Sequence, residues 1–205
     1  MRSDLEFENI IKTLTQGMLL NKRVDTTVES FDDEKRIIRF IFSTSTVDRK
    51  GDTINNKGWK VDDFNKNPVF LWQHDIKEQP LGIIHELEID KTGNLVGNVE
   101  FWKSDRDPSL WSDFDKKSDS IYEQYKKGFL KGASVRFKPL NFRPSTANKN
   151  GIDYTSQYLL EISAVSIPDN ADALSAKIEE KTIKKEISLE DYAKNIANLI
   201  NIRKE

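Results

Sequence analysis

The sequence predicts a mainly β protein with peripheral helices (α+β), built on an antiparallel β-barrel that is closed or partly open. Two observations lead to this fold class: many short β-branched or aromatic runs bounded by turn residues, and few stretches of helical periodicity. With 37% hydrophobic and 32% charged residues, the composition is that of a globular domain with a well-solvated surface. The 205 residues have room for one such domain with short terminal extensions.

The N-terminal part begins with a predicted amphipathic helix over residues 4–20, whose apolar side chains recur at helical spacing. A first buried strand follows at 37–42, where isoleucine and phenylalanine dominate. Turn residues then cluster at 48–52 and 55–58. The apolar face of the helix must dock on another surface, which the sequence does not identify.

Three further strands are predicted over 69–72, 83–89 and 95–102. The first starts after a proline and ends in polar residues, and the other two are separated by a turn. In the second, Ile83, His85, Leu87 and Ile89 alternate with a set made of one isoleucine and three acidic residues, which predicts an apolar face that includes the histidine.

An acidic segment over 103–118 contains a proline and is predicted to be an exposed loop. Ser120 and Glu123 have the spacing of a helix capping box, and apolar residues follow at helical intervals. Gly128 is the predicted end of this helix. The chain then enters two more predicted strands, 132–137 and 158–167.

We divide the chain into an N-terminal helical extension at 1–30, a β-barrel domain at 31–175, and a charged C-terminal linker and helix at 176–205. Lysine and glutamate dominate the last segment, and its helix is predicted to start at Ser188.

Composition excludes several classes of function. Without cysteine there are no thiol nucleophiles, disulfides or thiolate metal sites, and with two histidines we expect no His-rich metal centre. An all-carboxylate magnesium or calcium site stays open, but the predicted function requires no metal and no cofactor. A formal net charge of -2 without a dense basic run does not favour nucleic-acid binding. No apolar stretch approaches the roughly 20 residues of a membrane span, and an acidic N-terminus predicts cytoplasmic folding.

A reactive serine needs a base, and His74 and His85 are the two imidazoles available. His85 lies within a predicted strand, where a structural role is the simpler interpretation. His74 stands where a buried strand gives way to polar residues, as reactive groups often do. Position alone does not distinguish a catalytic base there from a surface histidine.

Ser134 lies on the predicted strand 132–137, which by itself is typical of an ordinary surface hydroxyl. Gly132 and Ala133, which precede Ser134, are small enough to let a substrate backbone approach. The backbone amides of Val135 and Arg136, which follow Ser134, are candidate donors to an oxyanion. Glu161 interrupts an otherwise apolar strand and so needs either a partner, such as an imidazole N–H, or a place at a strand edge facing water.

Four blocks together resemble the prohead serine protease family of tailed phages, whose barrel is similar to that of the herpesvirus assembly protease. They lie in the family's order within roughly residues 35–175: Ser-Thr-Ser-Thr-Val-Asp-Arg at 43–49 with Gly-Asp at 51–52, Asn-Pro-Val-Phe-Leu-Trp-Gln-His-Asp at 67–75 with Pro-Leu-Gly at 80–82, Gly-Ala-Ser-Val-Arg-Phe at 132–137, and Leu-Glu-Ile-Ser-Ala-Val-Ser-Ile-Pro-Asp-Asn at 160–170.

The resemblance implies a serine endopeptidase with His74 as base, Ser134 as nucleophile and Glu161 as the third member. Arg136 stands where the family often has glycine. The implied substrates are scaffold protein or the scaffolding segment of the major capsid protein, and the protease itself, inside an immature procapsid in the host or lysogen cytoplasm. A homodimer is left open.

Two alternatives also fit the sequence. The same fold can serve as a catalytically inactive capsid-assembly or scaffolding module. A β-barrel binding domain with no capsid role, in which Ser134 and His74 are incidental surface residues, is the other.

Overall fold

The computed structural model describes residues 3–15, 20–22, 27–48 and 50–166. The C-terminal segment 176–205 and its predicted helix lie outside the described residues. The helices and strands are α1 (Asp4–Thr15), β1 (Leu20–Lys22), β2 (Thr27–Asp32), β3 (Ile37–Ser43), β4 (Thr53–Ile54), β5 (Trp59–Lys60), β6 (Val69–Trp72), β7 (Gly82–Ile89), β8 (Leu95–Phe101), α2 (Asp113–Lys126), β9 (Gly132–Pro144) and β10 (Ile152–Val165).

In the described part, ten strands form one sheet in the order β1-β9-β10-β6-β7-β8-β3-β2, with β4 and β5 paired to β10. The sheet curls into a nearly closed barrel, which confirms the predicted fold class. Most neighbouring strands are antiparallel, but β10 runs parallel to β4, β5 and β6. Parallel neighbours require a crossover rather than a hairpin, so their pairing cannot be inferred from adjacent turns.

Aromatic side chains fill the barrel. Phe40 packs edge-on against Tyr125 with ring centroids 5.1 Å apart, and Phe137 packs the same way against Tyr154 at 5.3 Å. Full burial of such a side chain stabilises the fold by about 1.5–3 kcal/mol. The inward residues therefore fix which face of each strand points outward, and that outer face carries the candidate site.

Helix α1 spans Asp4–Thr15, residues 16–19 of the predicted helix lie outside the described residues, and Leu20 belongs to β1. Its buried Leu14 packs on the core together with the partly buried Phe7, Ile10 and Ile11, so the unidentified partner of this helix is the barrel. Strand β1 and the first four residues of β2 fall within the range 1–30 and pair with β9 and β3, so this range adds strands to the sheet as well as a helix. No helix among the described residues is both long and apolar enough to cross a membrane.

Helix α2 starts eight residues earlier than predicted, and the predicted loop 103–118 is wrong in its second half. Ser112 is the N-cap: its hydroxyl accepts the N–H of Asp115, whose carboxylate accepts the N–H of Ser112. The same capping-box spacing occurs at Ser112 and at Ser120, so local sequence does not choose between them. The tertiary fold does, because Asp115 also accepts the indole N–H of Trp102 at 2.8 Å.

Strand β7 presents a different face from the predicted one. Ile84 is buried, whereas Ile83, His85 and Ile89 are exposed. Pairing of Ile84 with Val99 directs it into the barrel, and an irregularity between His85 and Glu88 changes the phase of the alternation. His85 therefore lies on the surface, where its Nε2 is 3.0 Å from a carboxylate oxygen of Glu100.

The loop before β4 contains the first of the four sequence blocks and ties the sheet together. The Asp48 carboxylate accepts the N–H of Asp52 at 2.9 Å, and the buried Asp52 carboxylate accepts the N–H of Ile152 at 2.9 Å. A buried carboxylate that satisfies a strand's first N–H anchors that strand. These aspartates therefore hold the start of β10, the strand that carries Glu161.

Candidate active site

His74 lies in a tight turn directly after β6. Gln73 and His74 have φ of 52° and 61°, and the N–H of Asp75 donates to the carbonyl of Trp72 at 2.9 Å. Positive φ at both central residues is the pattern of a type I′ turn, which normally favours glycine or asparagine. Backbone strain of this kind concentrates at functional sites. Here it turns the imidazole back over β10.

The register of β9 and β10 gathers four polar side chains on one face. Ser134 pairs with Ser163, and Arg136 pairs with Glu161. Directly paired residues, and residues two apart on a strand, share a face of the sheet. Their neighbours on β9 point into the barrel core, so the four polar side chains lie on the outer face of the barrel.

A bulge at Leu160 sets the direction of Glu161. Leu159 pairs with Phe137 and Glu161 pairs with Arg136, which leaves Leu160 as an extra residue in β10. Residues two apart would otherwise share a face. The bulge therefore lets Leu159 pack in the core while Glu161 points outward.

His74 joins Ser134 to Glu161. Its Nε2 is 2.8 Å from Ser134 Oγ, and its Nδ1 is 2.8 Å from Glu161 Oε1. A carboxylate can only accept, so Nδ1 carries the proton and Nε2 is the acceptor for the Ser134 hydroxyl. Ser163 Oγ also donates to Glu161 Oε1. Ser134 has no exposed surface, and the side chains of His74 and Glu161 are 8% and 7% exposed.

The surroundings keep Glu161 ionised. Burial raises the pKa of Glu161, but hydrogen bonds from His74 and Ser163 and the nearby charges of His74 and Arg136 outweigh burial, so the net pKa lies below the ordinary 4.5. Arg136 Nη1 is 3.1 Å from Glu161 Oε2. This contact is an ion pair without hydrogen-bond alignment, since Oε2 has no hydrogen-bond partner.

The three predicted oxyanion residues occupy different environments. The Gly132 carbonyl accepts the Tyr125 hydroxyl at 2.6 Å, and the Val135 side chain lies in the core. Val135 and Arg136 each pair with a residue of β1 on one side and of β10 on the other. Their N–H groups therefore lie in the plane of the sheet, and their role as donors to an oxyanion stays a prediction.

Ser163 was not predicted as a site residue. Ser163 could have been predicted because it lies two residues after Glu161, and residues two apart on a strand share one face of the sheet. His85 lies apart from this cluster, paired with Glu100 on the surface. Among residues 3–15, 20–22, 27–48 and 50–166, no three His, Asp or Glu side chains are arranged to hold a metal ion.

A serine hydroxyl hydrogen-bonded to an imidazole that is in turn bonded to a carboxylate is the arrangement by which serine proteases activate their nucleophile. The chain belongs to the caudovirus prohead serine protease family, whose family model matches residues 26–187. This match confirms the resemblance inferred from the four sequence blocks.

The chain is also similar to part of a phage capsid polyprotein. The chain is 32% identical over 153 residues to the capsid polyprotein of Pseudomonas phage PAJU2. The aligned region is 74% of this chain and 21% of that polyprotein, so the chain spans about a fifth of the length of this relative. No solved structure matches.

Proposed function

We propose that this chain is an active prohead maturation endopeptidase in which Ser134 is the nucleophile, His74 the general base and Glu161 the orienting carboxylate. The observation that supports the proposal is the unbroken hydrogen-bond chain from Ser134 Oγ through His74 to Glu161, with both links at 2.8 Å. Nucleophile and base within hydrogen-bond reach, and a third group that orients the base, are what this chemistry requires.

The reaction follows from the positions of the protons. Ser134 Oγ attacks the scissile carbonyl carbon while its proton passes to His74 Nε2, and Glu161 stabilises the imidazolium. His74 then gives this proton to the leaving amine as the C–N bond breaks, which leaves an ester on Ser134. Water, deprotonated by the same imidazole, attacks the ester and releases the acid product. No cofactor is required for any step.

We propose that the positive charge of Arg136 stabilises the oxyanion. Of the three residues predicted to stabilise the oxyanion, it has a charged side chain on the same face as Ser134, and that side chain is 24% exposed. Its guanidinium sits next to Glu161 and beside the reacting centre, where a positive charge stabilises both the carboxylate and the developing oxyanion.

Access to Ser134 requires a local opening. Because Ser134 has no exposed surface, a substrate carbonyl reaches its Oγ only after neighbouring side chains move aside. Motions that complete an active site on binding are common in enzymes. We therefore expect slow reaction with small probes relative to longer polypeptides.

The proposed substrates are scaffold protein or the scaffolding segment of the major capsid protein, and the protease itself. The family match and the capsid polyprotein relative support this choice. We propose that cleavage takes place inside the immature procapsid, in the cytoplasm of the host or of a lysogen.

The test is co-expression of the wild-type chain or Ser134→Ala with the capsid protein of the same phage, followed by gel electrophoresis and intact-mass spectrometry. We expect truncated capsid protein with the wild type and uncut protein with Ser134→Ala. Identical uncut bands from both would reject the protease function.

An inactive capsid-assembly module is the second candidate, and the complete burial of Ser134 is the observation that favours it. The same co-expression separates the two functions. A module without activity would leave the capsid protein uncut and still co-purify with the procapsid in both forms of the chain.

A further inference from the structure

A groove of about 650 Å³ opens beside the Arg136–Glu161 pair. Val69 and Pro80, which line it, also line a second hollow of about 660 Å³ that reaches Trp102 at the end of β8. The two hollows therefore adjoin at Val69 and Pro80, and the two together form the proposed groove. One end lies at the candidate active site and the other at Trp102.

Strand pairing gives the length of the groove. Val69 stands next to Glu161, since the following residues Phe70 and Ile162 are paired, and Val69 in turn pairs with Ile83 on β7. Ile83 then pairs with Glu100 on β8. Three strand spacings of about 4.8 Å separate β10 from β8, or about 14 Å, which an extended chain of roughly four residues spans.

The near end of the groove lies close to the nucleophile. The Arg136–Glu161 pair is the next pair after Ser134–Ser163 on the outer face, with the inward Val135–Ile162 pair between them. Two residues of a strand cover about 7 Å, so a substrate whose scissile bond lies at Ser134 reaches the groove within two or three residues.

Apolar side chains mark both ends. Ile76 and Leu160 are 72% and 44% exposed at the near end, and Ile83 and Trp102 are 42% and 49% exposed at the far end. Four exposed large hydrophobic residues along one groove exceed what scattered surface residues would give, and such surfaces mark binding sites.

The charges that line the near end of the groove are paired. Glu78 accepts a hydrogen bond from Lys117, and Asp63 accepts one from Lys66 at 2.7 Å. Arg136 is paired with Glu161. At this end the exposed apolar surface is therefore what the groove offers to a ligand, whereas the far end also carries three acidic and two basic side chains.

We propose that this groove binds about four residues of substrate polypeptide in extended conformation on one side of the scissile bond. It takes two apolar side chains roughly four residues apart, one against Ile76 and Leu160 and the other against Ile83 and Trp102. The proposal rests on the proposed protease function. Binding far from the reacting bond supplies free energy for opening the buried site around Ser134.

The experiment uses a proteome-derived peptide library as the probe. The wild type, Leu160→Glu and Ile83→Glu each digest the library, and mass spectrometry identifies the cleaved sites. We expect wild-type sites to be enriched in apolar residues at two positions on the same side of the bond. Leu160→Glu should remove the enrichment nearer the bond and Ile83→Glu the farther one, each with about a 10–200-fold lower kcat/KM on a peptide that carries both residues.

Phe129→Glu is the matched control, because Phe129 is 83% exposed and does not line the groove. Its cleavage profile should equal that of the wild type, and circular dichroism should show all three variants folded. Unchanged cleavage profiles in both groove variants would overturn the proposal. Wild-type cleavage no greater than that of Ser134→Ala would instead reject the protease function itself, and the groove proposal with it.

Discussion

Arg136 and Glu161 face each other across β9 and β10, with the guanidinium Nη1 3.1 Å from the carboxylate Oε2. The other oxygen of the same carboxylate binds His74 and Ser163. One buried carboxylate thus connects a cation at the edge of the substrate groove with the imidazole that contacts Ser134. This connection makes Arg136 the most informative position to change.

Arg136→Met should destabilise the fold and change the pH dependence of its stability. Loss of the guanidinium leaves Glu161 Oε2 buried with no cation beside it, which costs about 1–3 kcal/mol of the free energy of unfolding. Since the charge of Arg136 contributes to lowering the pKa of Glu161, that pKa should rise in the variant, and the acid limb of the free energy of unfolding against pH should move to higher pH. Urea unfolding at neutral pH and at a series of acidic pH values measures the two effects.

Lys138→Met is the control for that substitution. Lys138 is the next outward residue on β9 and is exposed, so its loss should change the free energy of unfolding by no more than about 0.5 kcal/mol. Equal effects of the two substitutions on stability and on the acid limb would show that the Arg136–Glu161 contact has no special role.

His74→Ala should abolish cleavage while His85→Ala should not. His74 is the imidazole within 2.8 Å of Ser134 Oγ, and loss of the base in such a triad lowers kcat by about 10⁴-fold or more. His85 lies on the surface beside Glu100, so His85→Ala should stay within a few-fold of the wild type. Initial rates of capsid-protein cleavage give the comparison. A folded His85→Ala variant without activity would reverse the assignment.

Glu161→Gln should flatten the loss of stability in acid. The folded pKa of Glu161 lies below the ordinary 4.5, so the unfolded chain binds a proton more readily and the carboxylate's contribution is present above about pH 4.5. That contribution disappears as the pH falls through the folded pKa. The free energy of unfolding of the wild type, measured in urea from pH 6 to pH 3, should therefore fall more steeply than that of the variant. Parallel curves would contradict this.

Ser112→Ala should cost about 1 kcal/mol of the free energy of unfolding, because it removes the N-cap of α2. Ser120→Ala is its natural counterpart, since Ser120 lies exposed in the middle of the same helix. There alanine should be neutral or slightly stabilising, by up to about 0.7 kcal/mol. Thermal unfolding of both variants measures the difference, and the opposite order would place the start of the helix at Ser120.

Helix α2 shows where local sequence suffices and where it does not. Gly128 was predicted to end the helix, and its φ of 74° confirms a conformation that glycine adopts without strain. The start at Ser112 instead of Ser120 depends on Trp102, which lies ten residues before the cap and just after β8. A contact of that kind has no signature in a capping-box pattern.

The strands follow the same division. The predicted strand 69–72 has the bounds of β6, because a proline before it and polar residues after it mark both ends. The two-residue strands β4 and β5 were not predicted, since their pairing with β10 rather than their own sequence makes them strands. The inward face of β7 depended in the same way on its register with β8.

The sequence by itself determined the barrel class, the family, and the three residues His74, Ser134 and Glu161 as candidates, because composition leaves few reactive groups and the four blocks are specific in combination. Tertiary structure decided what these residues touch. Positive φ at His74, the bulge at Leu160 and the pairing of β9 with β10 bring together groups 60 and 87 residues apart. Pairing register and strained turns arise from contacts between distant segments, so neither can be derived from local residue patterns.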